Sequence, residues 1–328
     1  MIEILALPFM QRALLAAILS GLIAPAIGTY IVQRKMSLLG DGLGHVAIMG
    51  VGLALMTGWA PLPVAVVTCV VGAVIVELLR QHGKASGDLG LAILFYGGLA
   101  SGVLMAGIAG QGAGGLAAYL FGSLTSVTQT DLYVIVGLAV VILALSIGLA
   151  PRLFAVAVDE DFARVLGIRV KLLNLLVVIL AAVTVTVSMR TVGLLLISAL
   201  MVIPVATSQQ AFIGFYPAFF GSMGVGVLAA VTGTVGSFYL DTATGATIVV
   251  TAIALLGVSW LIGSRLRRSD RFIPFVEDHG AQPHKPAENH DDAHAHAAGV
   301  KVIQHGDHLD YVHDGHRHAR HGDHYDEH

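Results

Sequence analysis

The chain has 328 residues, 56% of them hydrophobic and only 12% charged, with a mean hydropathy of +0.81. That balance excludes a soluble globular domain and reads as a polytopic membrane protein, all-α, embedded in lipid. The formal charge of −3 is unevenly placed: residues 1–276 carry +4 and residues 277–328 carry −7, so the chain divides into a membrane domain, 1–276, and a polar tail, 277–328, with no nucleic-acid partner expected.

The N-terminus, Met1-Ile2-Glu3-Ile4, lacks the basic region of a cleavable signal peptide, so the first helix is expected to be retained. Nine apolar runs follow in order, roughly 13–32, 40–57, 62–79, 90–109, 132–150, 172–188, 192–211, 218–240 and 246–262. They predict a bundle of about nine transmembrane helices. Basic residues cluster at Arg34/Lys35, Arg80/Lys84, Arg152 to Lys171 and Arg265 to Arg268. An even number of runs separates successive clusters, so all four face the cytoplasm, the N-terminus lies outside and the C-terminus inside. Cys69 is the only cysteine, which rules out an internal disulfide and thiolate-rich metal sites. No Gly-x4-Gly-Lys-[Ser/Thr] loop occurs, so the chain does not hydrolyse ATP by that route and is read as a non-enzyme.

The second run holds two ionisable side chains, Asp41 and His45. Four residues apart, they share one helix face a turn from each other. His45 falls roughly 15 Å beyond Lys35, near the middle of the hydrocarbon layer. A charge at that depth costs at least about 2.5–3.5 kcal/mol, so a partner or a task is expected. Carboxylate and imidazole are good ligands for a borderline divalent metal such as zinc. A private Asp–His hydrogen bond that fixes helix packing is the other reading.

Further along, Asp159-Glu160-Asp161-Phe162-Ala163-Arg164-Val165-Leu166-Gly167 is the most charged stretch of the membrane domain. Three acids open a short helix in keeping with its dipole, and Gly167 ends it. It is either a solvated loop or a cytoplasmic docking helix. Pro204, inside the seventh run, is expected to kink or break it and free carbonyl groups beside Ser198 and Thr207.

Four patches together resemble the permease subunits of bacterial zinc/manganese/iron ABC importers. Met36 to His45 resembles that family's Gly-Asp-Ala-Leu-Ser-His helix entrance. Asp159 to Gly167 resembles its ATPase-coupling segment, with Asp159, Glu160, Asp161, Phe162, Arg164 and Gly167 at the matching positions. Arg190 to Thr207 is similar to its most typical helix, and Ser237 to Asp241 with Thr244 to Val249 resembles its final turn and helix. Gly44 stands where the family has serine, and Met49 where it has proline. The resemblance implies a homodimer in the bacterial inner membrane with two cytoplasmic ATP-binding subunits, which would carry the ATP hydrolysis, and an extracytoplasmic metal-binding protein. It further implies that Asp41 and His45 of two facing protomers hold the transported ion in transit, with no permanently bound cofactor.

The tail holds 13 of the 15 histidines with Asp, Gly and Pro and few apolar groups. Such a composition predicts a disordered segment in the absence of metal. A short repeat links His305-Gly306-Asp307-His308-Leu309-Asp310 to His321-Gly322-Asp323-His324-Tyr325-Asp326, with His316-Arg317-His318 between them. His294, His296, His305, His308, His313, His316, His318, His321, His324 and His328 are candidate zinc ligands of a cytoplasmic buffer or sensor. The histidines favour zinc as cargo over manganese, which prefers oxygen. The alternatives are a stand-alone proton-coupled cation exporter, or a permease for manganese, iron or a metal chelate.

Overall fold

The structure is a computed structural model that describes residues 7–81, 87–111, 114–123, 125, 127–194, 196–266, 301–305, 308–313, 316–321 and 324–327. The chain divides into two compact units, Met1–Arg265 and Leu266–His328, each considered separately.

All nine apolar runs become helices. They are α1 (Pro8–Gln33), α2 (Leu39–Thr57), α3 (Pro61–Gln81), α4 (Gly87–Ile108), α6 (Gln129–Gly148), α9 (Val170–Ser188), α10 (Ile197–Ala211), α11 (Phe215–Leu240) and α12 (Thr244–Leu266). Three short helices intervene: α5 (Gly114–Phe121), α7 (Ala150–Val158) and α8 (Glu160–Val165). Among the described residues, seven helices are long and apolar enough to cross a membrane, α4 contributes the shorter apolar stretch Ala92–Ile108, and α10 has 15 residues.

α10 is shorter than the hydropathy run that contains it. The chain leaves helix at Ser188 and re-enters at Ile197, and Gly193 between them sits at φ 86°. This connection is held by α5, whose Tyr119 carbonyl accepts from the Leu194 amide at 2.9 Å and whose Tyr119 ring lies under the Arg190 guanidinium at 5.2 Å. Arg190 also pairs with Asp131 at 3.5 Å, and Asp131 forms a capping box with Thr128 at the start of α6. Pro204 lies within α10 without ending it.

α1, α2 and α9 form the interior, with 72%, 72% and 67% of their apolar windows buried, against 28% for α3 and for α12. α3 shows how a peripheral helix is built. Ala65, Cys69, Ala73 and Glu77 recur at four-residue spacing on its buried face, while Val67, Val71 and Ile75 are exposed, a stripe suited to lipid. Small residues on the inner face let backbones approach where water exclusion does not drive packing. One such approach is at Gly98 on α4, where an added Cβ would lie 2.6 Å from the His45 carbonyl oxygen of α2.

The tail, expected to be disordered, instead contains a four-stranded antiparallel sheet: β1 (Lys301–His305), β2 (His308–His313), β3 (His316–His321) and β4 (His324–Glu327), in order β1-β2-β3-β4. The physical reason is visible in retrospect. Val302, Ile303, Tyr311, Val312 and Tyr325 favour strand, and the sequence pairs Gly306-Asp307, Asp314-Gly315 and Gly322-Asp323 are of the kind that favours two-residue hairpins.

Gly98→Leu should lower the melting temperature of the detergent-solubilised chain, with on the order of 1–3 kcal/mol of packing lost to overcrowding against α2. Gly97→Ala, whose added carbon meets nothing within 4 Å, should not lower it.

Candidate metal centre

Asp41 and His45 lie in the first two turns of α2, and His45 is only 7% exposed. Their depth follows from the neighbouring helix. The Cys69 thiol of α3 donates to the Leu43 carbonyl at 3.3 Å. Cys69 is eight residues from the start of α3 and twelve from its end, or about 12 Å and 18 Å along its axis. Leu43, between the two, is therefore level with the middle part of α3.

The two side chains do not bond to each other. The His45 Nδ1 donates to the backbone carbonyl of Asp41 at 2.7 Å; because the acceptor is a carbonyl, this nitrogen carries the hydrogen and Nε2 keeps its lone pair. The imidazole also lies against the Phe95 ring of α4, with centroids 3.9 Å apart. Fixing one ring nitrogen on a carbonyl while the other points elsewhere is how proteins orient a metal-binding histidine. The Asp41 carboxylate accepts a hydrogen bond at Oδ1 from the Ser198 hydroxyl of α10. Among the described residues these contacts use one oxygen and one nitrogen, which leaves Asp41 Oδ2 and His45 Nε2 to bind a cation. The private Asp–His side-chain bond is not formed.

Ser198 is the site residue that sequence spacing did not single out as a partner of Asp41, 157 positions away. It stands in the first turn of α10, where unpaired amides also favour an anionic neighbour. An added Cβ at Gly40 would sit 3.1 Å from the Ser198 Cβ and one at Gly44 3.2 Å from the Leu194 carbonyl, so α2 turns a bare face to the start of α10 and to the connection before it. Among the described side chains no group of three or more His, Cys, Asp or Glu could hold a metal. A cavity of about 320 Å³ lies elsewhere, lined by Thr29, Gln33, Gln209 and Phe215 among others.

The acidic stretch forms α8 as its sequence predicts. Asp159 caps it, accepting from the amides of Asp161 at 3.0 Å and Phe162 at 2.9 Å, and Gly167 follows its end at φ 76°. Asp161 pairs with Arg164 at 2.6 Å, while Glu160 meets Arg164 at 3.6 Å and also turns inward to Arg34 at 3.4 Å and to the Asn174 amide at 2.9 Å. Burial, and then the like charge of Arg80, pull the Arg34 guanidinium below its ordinary value, opposed by Glu77 and Glu160. Glu77 holds Arg80 through bonds of 2.8 and 2.9 Å, an i,i+3 pair within α3. Phe162, Val165 and Leu166 are exposed, Val165 at 84%.

In the tail sheet the backbone register places the candidate histidines. His305 is opposite His308, His313 opposite His316, and His321 opposite His324, while His318 is opposite Glu327. By strand alternation His305, His308, His321 and His324 belong to one face, and His313, His316 and His318 to the other. His294, His296 and His328 lie outside the described residues.

The pattern of the ABC 3 transport family matches residues 6–263. The manganese import system permease protein ScaB of Streptococcus parasanguinis is 30% identical over 262 residues, which cover 80% of this chain and 93% of that protein. The high-affinity zinc uptake system membrane protein ZnuB of Haemophilus influenzae is 32% identical over 261 residues, 77% of this chain and 97% of that one. Among solved structures, PsaBC from Streptococcus pneumoniae in complex with Fab is similar with a TM-score of 0.74 at 29% identity, over 82% of this chain and 97% of that chain.

Asp159→Ala, which removes both capping bonds, should cost about 1 kcal/mol locally and speed amide hydrogen exchange across 160–165. Asp159→Asn, which retains a capping oxygen, should restore most of the protection.

Proposed function

The chain belongs to the ABC 3 transport family, and on that premise we propose that it carries a divalent metal ion, zinc in the first instance, into the cell. It is a multi-pass membrane permease of the manganese and zinc ABC importer class, which sets aside the stand-alone exporter. The observation that carries the proposal is the pair of Asp41 and His45, each oriented by a hydrogen bond at one atom and open at another.

Two ligands are half of a tetrahedral zinc shell. A second copy of the chain facing the first completes it with four N and O donors, which is the role assigned to a homodimer. The ion arrives from an extracytoplasmic binding protein and leaves to the cytoplasm, so the site is weak by necessity. Ser198 keeps the carboxylate in place while the ion exchanges. ATP hydrolysis belongs to separate cytoplasmic subunits, docked on the exposed apolar side chains Phe162, Val165 and Leu166 of the α8 region. Their motion reaches the pair through Glu160 and Arg34, since Arg34 closes α1 just before the turn into α2. This places the chain in a bacterial inner membrane with its C-terminus inside, where the tail histidines buffer or sense zinc.

Zinc is favoured by the imidazole in the transit pair and by the histidine-rich tail, since both are nitrogen donors. Manganese is the second reading, favoured by the similarity to a manganese permease at nearly the same identity as to a zinc one.

Metal accumulation in cells carrying the full transporter tests the proposal. Asp41→Ala and His45→Ala should each abolish uptake while membrane assembly is retained, and normal uptake by both would reduce the pair to a packing role. Ser198→Ala should weaken metal affinity roughly 10–100-fold, the usual cost of losing an outer-shell partner, with Ser198→Thr intermediate. Following zinc and manganese in parallel identifies the cargo. Val165→Asp should impair ATPase docking and leave metal binding intact, and truncation at Glu277 should alter regulation more than rate.

A further inference from the structure

The tail is a threefold repeat of eight residues. His305-x-x-His308-x-Asp310, His313-x-x-His316-x-His318 and His321-x-x-His324-x-Asp326 begin eight positions apart. The sheet gives that period a spatial meaning. Each repeat spans one hairpin, so its first two histidines are Cα partners across neighbouring strands: His305 with His308, His313 with His316, His321 with His324. Opposed residues in an antiparallel pair have Cα atoms about 4.5–5.5 Å apart and share a face. The third member of each repeat follows two positions along the same strand, on that same face and about 7 Å further on.

We propose that each hairpin is a separate three-ligand site for a borderline divalent cation, so that the tail binds three ions per chain. The first and third repeats supply two imidazoles and a carboxylate, His305/His308/Asp310 and His321/His324/Asp326. The second supplies three imidazoles, His313/His316/His318. The sites alternate in face, because successive repeats are eight residues long and each strand of the meander carries the end of one repeat and the beginning of the next. The β2–β3 register sets Asp310 opposite Ala319, and continuing it two residues brings His308 opposite His321, so the first and third sites lie side by side on one face. Three protein ligands leave a fourth position open to water. An open position makes the ion exchangeable, as a buffer requires.

The inference rests on the reading of the tail as a metal-binding segment but specifies more, namely which residues act together. The test uses zinc alone on the purified full chain in detergent, with bound metal counted after removal of excess. Deleting residues 301–328 should release three ions per chain. His305→Ala with His308→Ala, His313→Ala with His316→Ala, and His321→Ala with His324→Ala should each release one. A composition-preserving exchange, His308→Leu with Leu309→His, moves one imidazole to the opposite face and should also release one. If the deletion releases no zinc, the metal-binding reading of the tail falls. If the deletion releases zinc but the exchange variant binds as much as the unaltered chain, or one paired substitution releases all of it, the tail still binds metal and the three-site assignment is wrong.

Discussion

A hydrogen bond between helices far apart in sequence holds the centre of this bundle: Ser198 of α10 donates to the Asp41 carboxylate of α2. Asp41 is partly buried where α2 meets α10, and a carboxylate taken out of water needs a donor; the bond supplies one at Oδ1. Everything else around it is arranged to let α2 and α10 meet there. α10 begins late, behind an irregular connection held by α5, and α2 carries glycine at positions 40 and 44, the two that face the start of α10 and that connection.

His45 illustrates a second device, because its ring is positioned by its own helix. Bonding Nδ1 to the carbonyl one turn back orients Nε2 without a second residue. The Phe95 ring then closes one side of the imidazole. The carboxylate is thus held from another helix and the imidazole from its own; on the proposed reading the pair is a weak site, since transport needs release as well as capture.

The contacts between Glu160, Arg34 and Asn174 tie α8 to the ends of α1 and α9. Partly buried ion pairs of this kind contribute little net stability, because desolvation offsets most of the attraction. They connect α8 to the residue that closes α1, just before the turn into α2, and under the proposed function that is the route by which a motion of α8 reaches the pair. Phe162, Val165 and Leu166 beside them remain exposed. Acids that look interchangeable in the sequence are thus divided among capping, surface pairing and inward bracing.

Hydropathy and local signals were enough to identify the nine helical runs, the start and stop of α8 and the shared face of Asp41 and His45. Each depends on residues within a turn or two of one another, where helical periodicity or capping chemistry dictates the outcome. The tail showed the limit of composition, since its histidines and acids suggested disorder while the described segments 301–305, 308–313, 316–321 and 324–327 pair as a sheet. Three features waited for the fold: the hydroxyl that Ser198 brings to Asp41, the late start of α10, and the grouping of tail ligands hairpin by hairpin. They are contacts and registers between segments, and no local pattern encodes which distant backbone will arrive opposite a given residue. Packing of small residues decided the first two, and strand pairing decided the third.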